Sequence, residues 1–220
     1  MKSKDEQIKK AVIEMLYWDN RVDSSDIQVD VTDGVASLKG TVPSYAAKEA
    51  ALFDVWKIPG VKHVKNNSTV KFPSSTKLLT DSQIEESIKK QLEWNDSTNN
   101  ENIQVRVNKG EVSLEGHVDA YWKISRAQQL ASGVIGVVDI DNKLAVVPTE
   151  KISDKVIATD ITNAIDRSYL LNTNDIDVKV KEGVVTLSGN LATRALCDSA
   201  LEFAYNTLGV RDVKDRLHVK

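Results

Sequence analysis

Residues 34–40 read Gly-Val-Ala-Ser-Leu-Lys-Gly, and close copies of this stretch occur at 110–116 and 183–189. The copies read Gly-Glu-Val-Ser-Leu-Glu-Gly and Gly-Val-Val-Thr-Leu-Ser-Gly, and the three stretches begin 76 and 73 residues apart. Internal repetition of this kind indicates that one structural unit is used several times along the chain. We therefore predict three tandem domains, at 1–75, 76–149 and 150–220.

Composition is that of an ordinary globular protein, with 220 residues, 41% hydrophobic residues and a formal net charge of −3. This mild charge lacks the basic excess of a nucleic-acid-binding protein, so we expect no nucleic-acid partner. Apolar runs stay well short of the roughly 20 residues that a transmembrane helix needs. The first residues also lack the apolar segment of a secretory signal. The sequence as written therefore predicts a cytoplasmic protein; the alternative is a periplasmic one whose signal has been removed.

Hydrophobic periodicity predicts the same order of elements in each repeat. Apolar residues at helical spacing open the repeats, as at Ile8, Val12 and Leu16. Two short segments of alternating polarity follow and are joined by a turn that contains glycine, which predicts a β-hairpin. A second helix and a third strand complete the repeat. The acidic residues that begin the first helices, Asp5, Asp81 and Asp154, are expected to cap free amides there.

This order, α-β-β-α-β, predicts an α+β fold. We expect each repeat to form a small mixed three-stranded sheet with its two helices packed on one face. The crossover through the second helix makes strands two and three parallel, whereas the hairpin makes strands one and two antiparallel. Cys197 falls on the apolar face of a predicted helix and is expected to be a small buried side chain.

Twelve residues recur at aligned positions and define the repeat. They are Gly34, Gly40, Gly60, Asn66, Gly110, Gly116, Gly136, Asn142, Gly183, Gly189, Gly209 and Asp215. The glycines of the second strand either allow a helix backbone to approach closely or mark a bulge. The polar residues of the third strand fall on its inward phase. They either contact a ligand at the end of the sheet or hydrogen-bond a turn or a helix terminus.

Catalytic residues shared by three copies should recur in all three, and none do. His63 aligns with Asp139 and Asp212, and His117 aligns with Thr41 and Asn190. Motifs of metalloproteases, P-loop proteins and serine hydrolases are missing from the sequence. We therefore predict no catalytic residues, no metal site and no cofactor, and we interpret the chain as a non-enzymatic protein.

The repeat resembles the BON domain, a family named for bacterial osmotically inducible and nodulation proteins. The resemblance rests on the glycines above and on the pattern Gly60-Val61-x-x-Val64-x-Asn66, which returns at 136–142. Asp215 departs from this pattern in the third repeat, where the family has Asn. The resemblance implies a non-catalytic protein that binds phospholipid, associated with membranes or envelopes, and acts in osmotic or envelope stress. The expected partner is an anionic phospholipid surface, or alternatively another protein for which the chain is an interaction or assembly module.

Six residues at the start of the predicted second helices are the candidate contacts for lipid head groups or a protein partner. They are Tyr45, Lys48, Tyr121, Trp122, Lys123 and Arg194. A helix N-terminus offers amides to a phosphate, and amphipathic aromatic residues suit a membrane interface. Packing between domains is the alternative role for these residues. Trp18 and Trp94 close the predicted first helices and are interpreted as core or interface plugs.

Overall fold

The computed structural model describes residues 4–99 and 101–219. The first repeat contains α1 (Lys4–Trp18), β1 (Ile27–Thr32), β2 (Val35–Val42), α2 (Tyr45–Trp56) and β3 (His63–Val70). The second contains α3 (Asp81–Trp94), β4 (Asn102–Asn108), β5 (Glu111–Val118), α4 (Trp122–Ser132) and β6 (Asp139–Val146). The third contains α5 (Asp154–Asp166), β7 (Ile176–Lys181), β8 (Val184–Leu191), α6 (Arg194–Tyr205) and β9 (Asp212–Val219). The predicted α+β fold with repeated α-β-β-α-β units is confirmed.

Each repeat has its own three-stranded sheet, with the strand orders β1-β2-β3, β4-β5-β6 and β7-β8-β9. β2 pairs antiparallel with β1 and parallel with β3, and β8 relates to β7 and β9 in the same way. The predicted mixed sheet is therefore observed, with the hairpin strand at one edge and the crossover strand at the other. A short 3-10 helix at Thr173–Asp175 precedes β7 and was not predicted.

The core of the first repeat lies between its sheet and its two helices. Ile8, Val12 and Leu16 form the buried stripe of α1, and they share one hydrophobic cluster with Ala51 and Val55 of α2. The sheet contributes its inward residues to the same cluster, Val29, Ala36 and Leu38. In the third repeat, Cys197 is fully buried in the equivalent cluster, as a small apolar side chain.

Spatial proximity divides the chain into two compact units. The first comprises Met1–Ile88, Val107–Val112 and Ala131–Ile140. The second comprises Lys89–Arg106, Ser113–Leu130 and Asp141–Lys220. The division into three domains at 1–75, 76–149 and 150–220 stays a prediction.

The aspartates that begin the first helices bond to the hairpin turns. The carboxylate of Asp154 accepts hydrogen bonds from the backbone amides of Glu182 (2.8 Å) and Gly183 (2.9 Å). Asp5 and Asp81 make the same pair of bonds to the turns at 33–34 and 109–110. The N-cap of α5 is instead Ser153, whose hydroxyl accepts from the amide of Val156. The expected capping role is thus corrected for α5: the aspartate holds the turn between the first two strands.

The glycines of the second strands allow a close approach, but not by a helix. Gly116 has φ +122°, and a Cβ placed on it would lie 2.0 Å from the backbone oxygen of Asn102. Gly40 and Gly189 stand in the same relation to the oxygens of Asp26 and Asp175. The approaching chain is therefore the segment that enters the first strand, which corrects the expected approach of a helix backbone.

Candidate interaction surface

The first turn of α2 carries two of the predicted contact residues, Tyr45 and Lys48. Tyr45 is only 5% exposed. The ammonium of Lys48 lies 5.8 Å from the centre of the Tyr45 ring and 3.6 Å from a carboxylate oxygen of Asp139. The N-cap Ser44 accepts a hydrogen bond from the amide of Ala47 at 3.1 Å. Tyr45 is therefore a packed ring, and Lys48 pairs with the first residue of a strand in the next repeat.

The aligned position of the second repeat is Tyr121, which also packs against protein. Its ring stacks on Tyr205, with centroids 4.9 Å apart and planes inclined by 13°. Burial, together with the negative charge of Asp212, raises the pKa of Tyr121. Trp122 follows as the first residue of α4 and is 37% exposed. Tyr121 thus joins the second repeat to the third, in the role given above as the alternative, packing between domains.

Lys123 carries a positive charge that two acidic side chains neutralise. Its ammonium pairs with Glu101 and with Asp119, the latter at 2.8 Å. Burial acts to lower the pKa of Lys123, but hydrogen bonds with Asp119 and Glu101 outweigh burial, and the pKa is raised. The ammonium also lies 5.9 Å from the centre of the Trp122 ring. Lys123 is therefore held in a local ion-pair network.

Arg194 takes the place of the two tyrosines in the third repeat. Its guanidinium lies 2.8 Å from a carboxylate oxygen of Asp198 and 3.2 Å from one of Asp215. These two acids balance its charge within the same repeat. Of the six predicted contact residues, Trp122 is the most exposed, at 37%, and the side chains of the other five are engaged mainly by other protein groups.

The end of the first helix is where large aromatic side chains reach solvent. Trp18 ends α1 and is 77% exposed, and Trp94 ends α3 and is 81% exposed. Neither residue is a core plug, which corrects that half of the interpretation; the interface role stays a prediction. The reason is helical geometry: Leu16 is the last buried residue of α1, and a residue two positions later points about 200° around the helix. In the third repeat Tyr169, just beyond α5, is also fully exposed.

The first repeat carries a second set of aromatic and basic side chains towards the end of α2. Phe53 on α2 is 59% exposed, and the ammonium of Lys57 lies 4.1 Å from the centre of its ring. Lys57 is also 2.9 Å from the buried carboxylate of Asp54, and the guanidinium of Arg21 is 3.9 Å from the same oxygen. Arg21 follows α1 by three residues, so Asp54 joins the end of α1 to the end of α2.

We term five of these residues the first-repeat aromatic surface: Tyr17, Trp18, Arg21, Phe53 and Lys57. Tyr17 and Trp18 are in edge-to-face contact, with ring centroids 5.6 Å apart. The two cations are matched by two acids, since Arg21 pairs with Asp19 and Lys57 with Asp54. The surface is therefore aromatic and close to neutral, and the ammonium of Lys57 lies over the face of the Phe53 ring.

Sequence reasoning missed Arg21, Phe53 and Lys57 because these positions differ among the repeats, whereas Trp18 aligns with Trp94 and was interpreted as a core or interface plug. Asp54 aligns with Leu130 and Phe203, and Phe53 aligns with Gln129 and Glu202. A charged residue at a position that is apolar in the other copies was the available signal.

Two further observations concern metal binding and membrane spanning by residues 4–99 and 101–219. Within these ranges, His, Cys, Asp and Glu side chains form no group of three or more that could hold a metal ion. The helices in this part of the chain are also too short or too polar to span a bilayer.

Comparison with known proteins identifies chains that are similar to this one. The chain is 30% identical over 148 residues to Osmotically-inducible protein Y of Escherichia coli (strain K12), a match that covers 64% of this chain and 74% of that protein. Among solved structures, CdsD, a structural protein of the type III secretion system of Chlamydia trachomatis, is similar with 14% identity and a TM-score of 0.28, covering 97% of this chain and 92% of that one.

The periplasmic domain of PrgH, a type III secretion inner membrane protein of S. typhimurium, is similar with 11% identity and a TM-score of 0.23, covering 89% of this chain and 96% of that one. These two structural likenesses are too low to carry an argument about function. The model of the BON domain matches residues 4–71, 80–148 and 153–220. The three matches take up nearly the whole sequence and follow the repeat, so this chain belongs to the BON domain family.

Proposed function

We propose that this protein is a non-catalytic binding protein that associates with phospholipid membrane surfaces during osmotic or envelope stress. Membership of the BON family supports a binding role, and the similar protein of Escherichia coli is described as osmotically inducible. The single observation that carries the membrane part of the proposal is the first-repeat aromatic surface.

Exposed aromatic rings suit the boundary between lipid head groups and acyl chains. Trp and Tyr have a large apolar body and a polar edge, so one side chain satisfies both environments. In the first-repeat aromatic surface, Tyr17, Trp18 and Phe53 lie towards the ends of two helices, and the ammonium of Lys57 lies over the Phe53 ring. Because Arg21 and Lys57 are paired with Asp19 and Asp54, the rings rather than net charge supply the attraction to the interface in this proposal.

The six residues at the starts of the second helices contribute less in this proposal. Tyr45 is buried, and the charges of Lys48, Lys123 and Arg194 are neutralised by acidic partners. Trp122 is the member of that set that we retain as a membrane contact. The compartment we propose is the cell envelope, because the resemblance to BON proteins implies one; the cytoplasmic expectation finds no such support.

A protein partner is the second candidate function. The observation that favours it is the stacking of Tyr121 on Tyr205, in which this fold already uses aromatic rings to bind another folded surface. The rings of the first-repeat aromatic surface have the same chemistry. A protein-interaction role predicts that these rings bind without lipid.

The test is co-sedimentation of the full chain with neutral phosphatidylcholine vesicles and with vesicles that also contain anionic phosphatidylglycerol, at low and moderate salt. We expect binding to lipid, and a loss of at least about a hundredfold for the double variant Trp18→Ser/Phe53→Ser, since burying one aromatic ring is worth about 1.5–3 kcal/mol and two rings are removed. Trp94→Ser/Tyr169→Ser is the matched control, because it removes two exposed rings from other repeats. No binding to either vesicle would contradict the membrane role and leave a protein partner as the better proposal.

A further inference from the structure

A buried carboxyl group in the first repeat has one oxygen without a donor. Asp54 is 2% exposed. Its Oδ1 accepts from the ammonium of Lys57 at 2.9 Å, and the guanidinium of Arg21 lies 3.9 Å from the same atom. Its Oδ2 is buried and has no hydrogen-bond partner within residues 4–99 and 101–219. Buried polar atoms are nearly always paired, so this oxygen requires an explanation.

The group that faces Asp54 is a second carboxyl, that of Asp19, within hydrogen-bonding reach. Asp19 is already well supplied with donors, because the guanidinium and the backbone amide of Arg21 both bond to it. Two ionised carboxylates repel each other, and neither has a hydrogen to donate. One proton on Asp54 removes the repulsion and supplies the missing donor.

We propose that Asp19 and Asp54 form a proton-binding pair in which Asp54 holds its proton to a higher pH than an exposed aspartate does and donates it to the carboxylate of Asp19. Asp19 is the ionised partner because Arg21 binds it through its side chain and its main chain. Lys57, from α2, stabilises the remaining oxygen of Asp54. The charged groups around Asp54 are therefore Asp19 and Arg21 from the α1–β1 connection, and Lys57 from its own helix.

The surroundings of the two carboxyl groups shift their pKa values in opposite directions, as a proton held on Asp54 requires. Burial raises the pKa of Asp54, and the neighbouring Asp19 raises it further, while Lys57 opposes the increase. The pKa of Asp19 is lowered, chiefly by the hydrogen bonds from the Arg21 side chain. A proton shared by the pair therefore resides on Asp54.

The pair belongs to the first repeat and is not needed for the fold itself. The aligned residues are Asn95 and Leu130 in the second repeat, and Ser168 and Phe203 in the third. Both of those repeats form the same elements without a carboxyl at either position. The pair is therefore a local specialisation that makes the first repeat respond to pH.

The sign of the response follows from the two shifts. Asp54 has a raised pKa in the folded chain, so its contribution to stability is fully present below the unfolded pKa and is lost as pH rises through the folded one. Asp19 has a lowered pKa, so its contribution is present above the unfolded pKa and is lost as pH falls through the folded one. The pair contributes most to the free energy of unfolding at pH values between the folded-state pKa of Asp19 and that of Asp54. This contribution declines as Asp54 loses its proton.

The direct test is a carbon-13 NMR titration of the aspartate carboxyl groups in the full chain. We expect Asp54 to titrate at a higher pH than the exposed aspartates, and Asp19→Asn to shift that midpoint downward. Asp141→Asn is the matched control, because Asp141 is an exposed acid paired with Lys143 and far outside this cluster in sequence. Titration of Asp54 together with the exposed aspartates would overturn the proposal.

A second measurement uses Asp54→Leu, which installs the residue that stands at this position in the second repeat. Urea denaturation of the wild type and of this variant is compared from mildly acidic to mildly alkaline pH. We expect the stability of the wild type relative to the variant to decrease as pH rises. A difference that is the same at every pH, or that grows with pH, would show that Asp54 is ionised throughout and overturn the proposal.

Discussion

The side-chain amide of Asn142 on β6 donates a hydrogen bond to the backbone oxygen of Ile124 in the first turn of α4, at 3.1 Å. Its side-chain oxygen accepts from the backbone amide of Leu144 at 3.2 Å. One inward polar residue thus ties the third strand to the second helix and satisfies both of its polar atoms. Asn66 bonds in the same way to the oxygen of Lys48 in the first repeat. These bonds are the ones that the hydrogen-bonding alternative for Asn66 and Asn142 predicts; the ligand-contact alternative stays untested.

Replacing Asn142 by Ala should destabilise the protein by about 1–3 kcal/mol, because two partly buried backbone groups lose their partner. Asn142→Asp should cost at least as much, since the carboxylate still accepts from Leu144 but sets an acceptor oxygen against the oxygens of Ile124 and Gln128. In the third repeat the aligned residue is Asp215, and its carboxylate accepts from the backbone amide of Leu217 at 2.9 Å. Urea denaturation measures the order of stabilities. Equal stability of the wild type and Asn142→Ala would show that the hydrogen bonds of Asn142 do not stabilise the fold.

The bond from Asp154 to the turn at 182–183 supports a second prediction. Asp154→Ala removes both acceptor oxygens, and we expect a loss of about 1.5–3 kcal/mol, the range for hydrogen bonds to a charged group. Asp154→Asn keeps one acceptor and should lie between Ala and the wild type. Asp160→Ala, an exposed acid on the same helix, is the control and should change stability little. Thermal unfolding of the three variants checks this order, and a loss as large for Asp160→Ala would assign the effect to charge alone.

Gly116 should tolerate no side chain. Gly116→Ala combines a positive φ with a Cβ that would lie 2.0 Å from the backbone oxygen of Asn102, so the strand entry must move. We expect a loss of more than about 1 kcal/mol, the scale on which Ala at a positive φ already destabilises. Glu111→Ala, at the exposed start of the same strand, is the comparison. A Gly116→Ala variant as stable as Glu111→Ala would mean that the strand entry can shift at little cost.

Periodicity was sufficient to predict the order of elements and the sheet, because those depend on residues close in sequence. Ile84, Ile88 and Leu92 repeat at helical spacing and are buried as that spacing requires. Contacts between distant residues could not be predicted in this way. The pairing of Lys48 with Asp139 needs the relative placement of two repeats, which no local pattern encodes.

The candidate surface was missed for a different physical reason. Alignment of the repeats drew attention to positions that share a residue type, such as Tyr45 and Tyr121. Candidates such as Arg21, Phe53 and Lys57 lie instead where the repeats differ, because a fold is free to vary positions that it does not need for packing; the exception is Trp18, which aligns with the equally exposed Trp94. Asp54, aligned with two apolar residues, is the example with the largest structural consequence.

Tyr205 is expected to resist ionisation in alkali. Burial is the main cause that raises the pKa of Tyr205 to about 12, with the neighbouring Tyr121 and Asp215 adding to it. Its contribution to stability is therefore complete below the unfolded value of about 10 and is lost as pH rises through about 12. Tyrosinate absorbance of the wild type and of Tyr205→Phe isolates its titration by difference.

The same two rings allow the stacking contact to be separated from burial. A double-mutant cycle of Tyr121→Ala and Tyr205→Ala should show a coupling of about 0.5–1.5 kcal/mol, as for other aromatic pairs. Tyr17→Ala with Tyr205→Ala is the control cycle, because Tyr17 is an exposed ring of the first repeat that stacks edge-on with Trp18. If Tyr121 and Tyr205 behave additively, their stacking does not join the second repeat to the third. If the alkaline midpoint of Tyr205 also falls in Tyr121→Ala, the same contact both buries the ring and holds the repeats together.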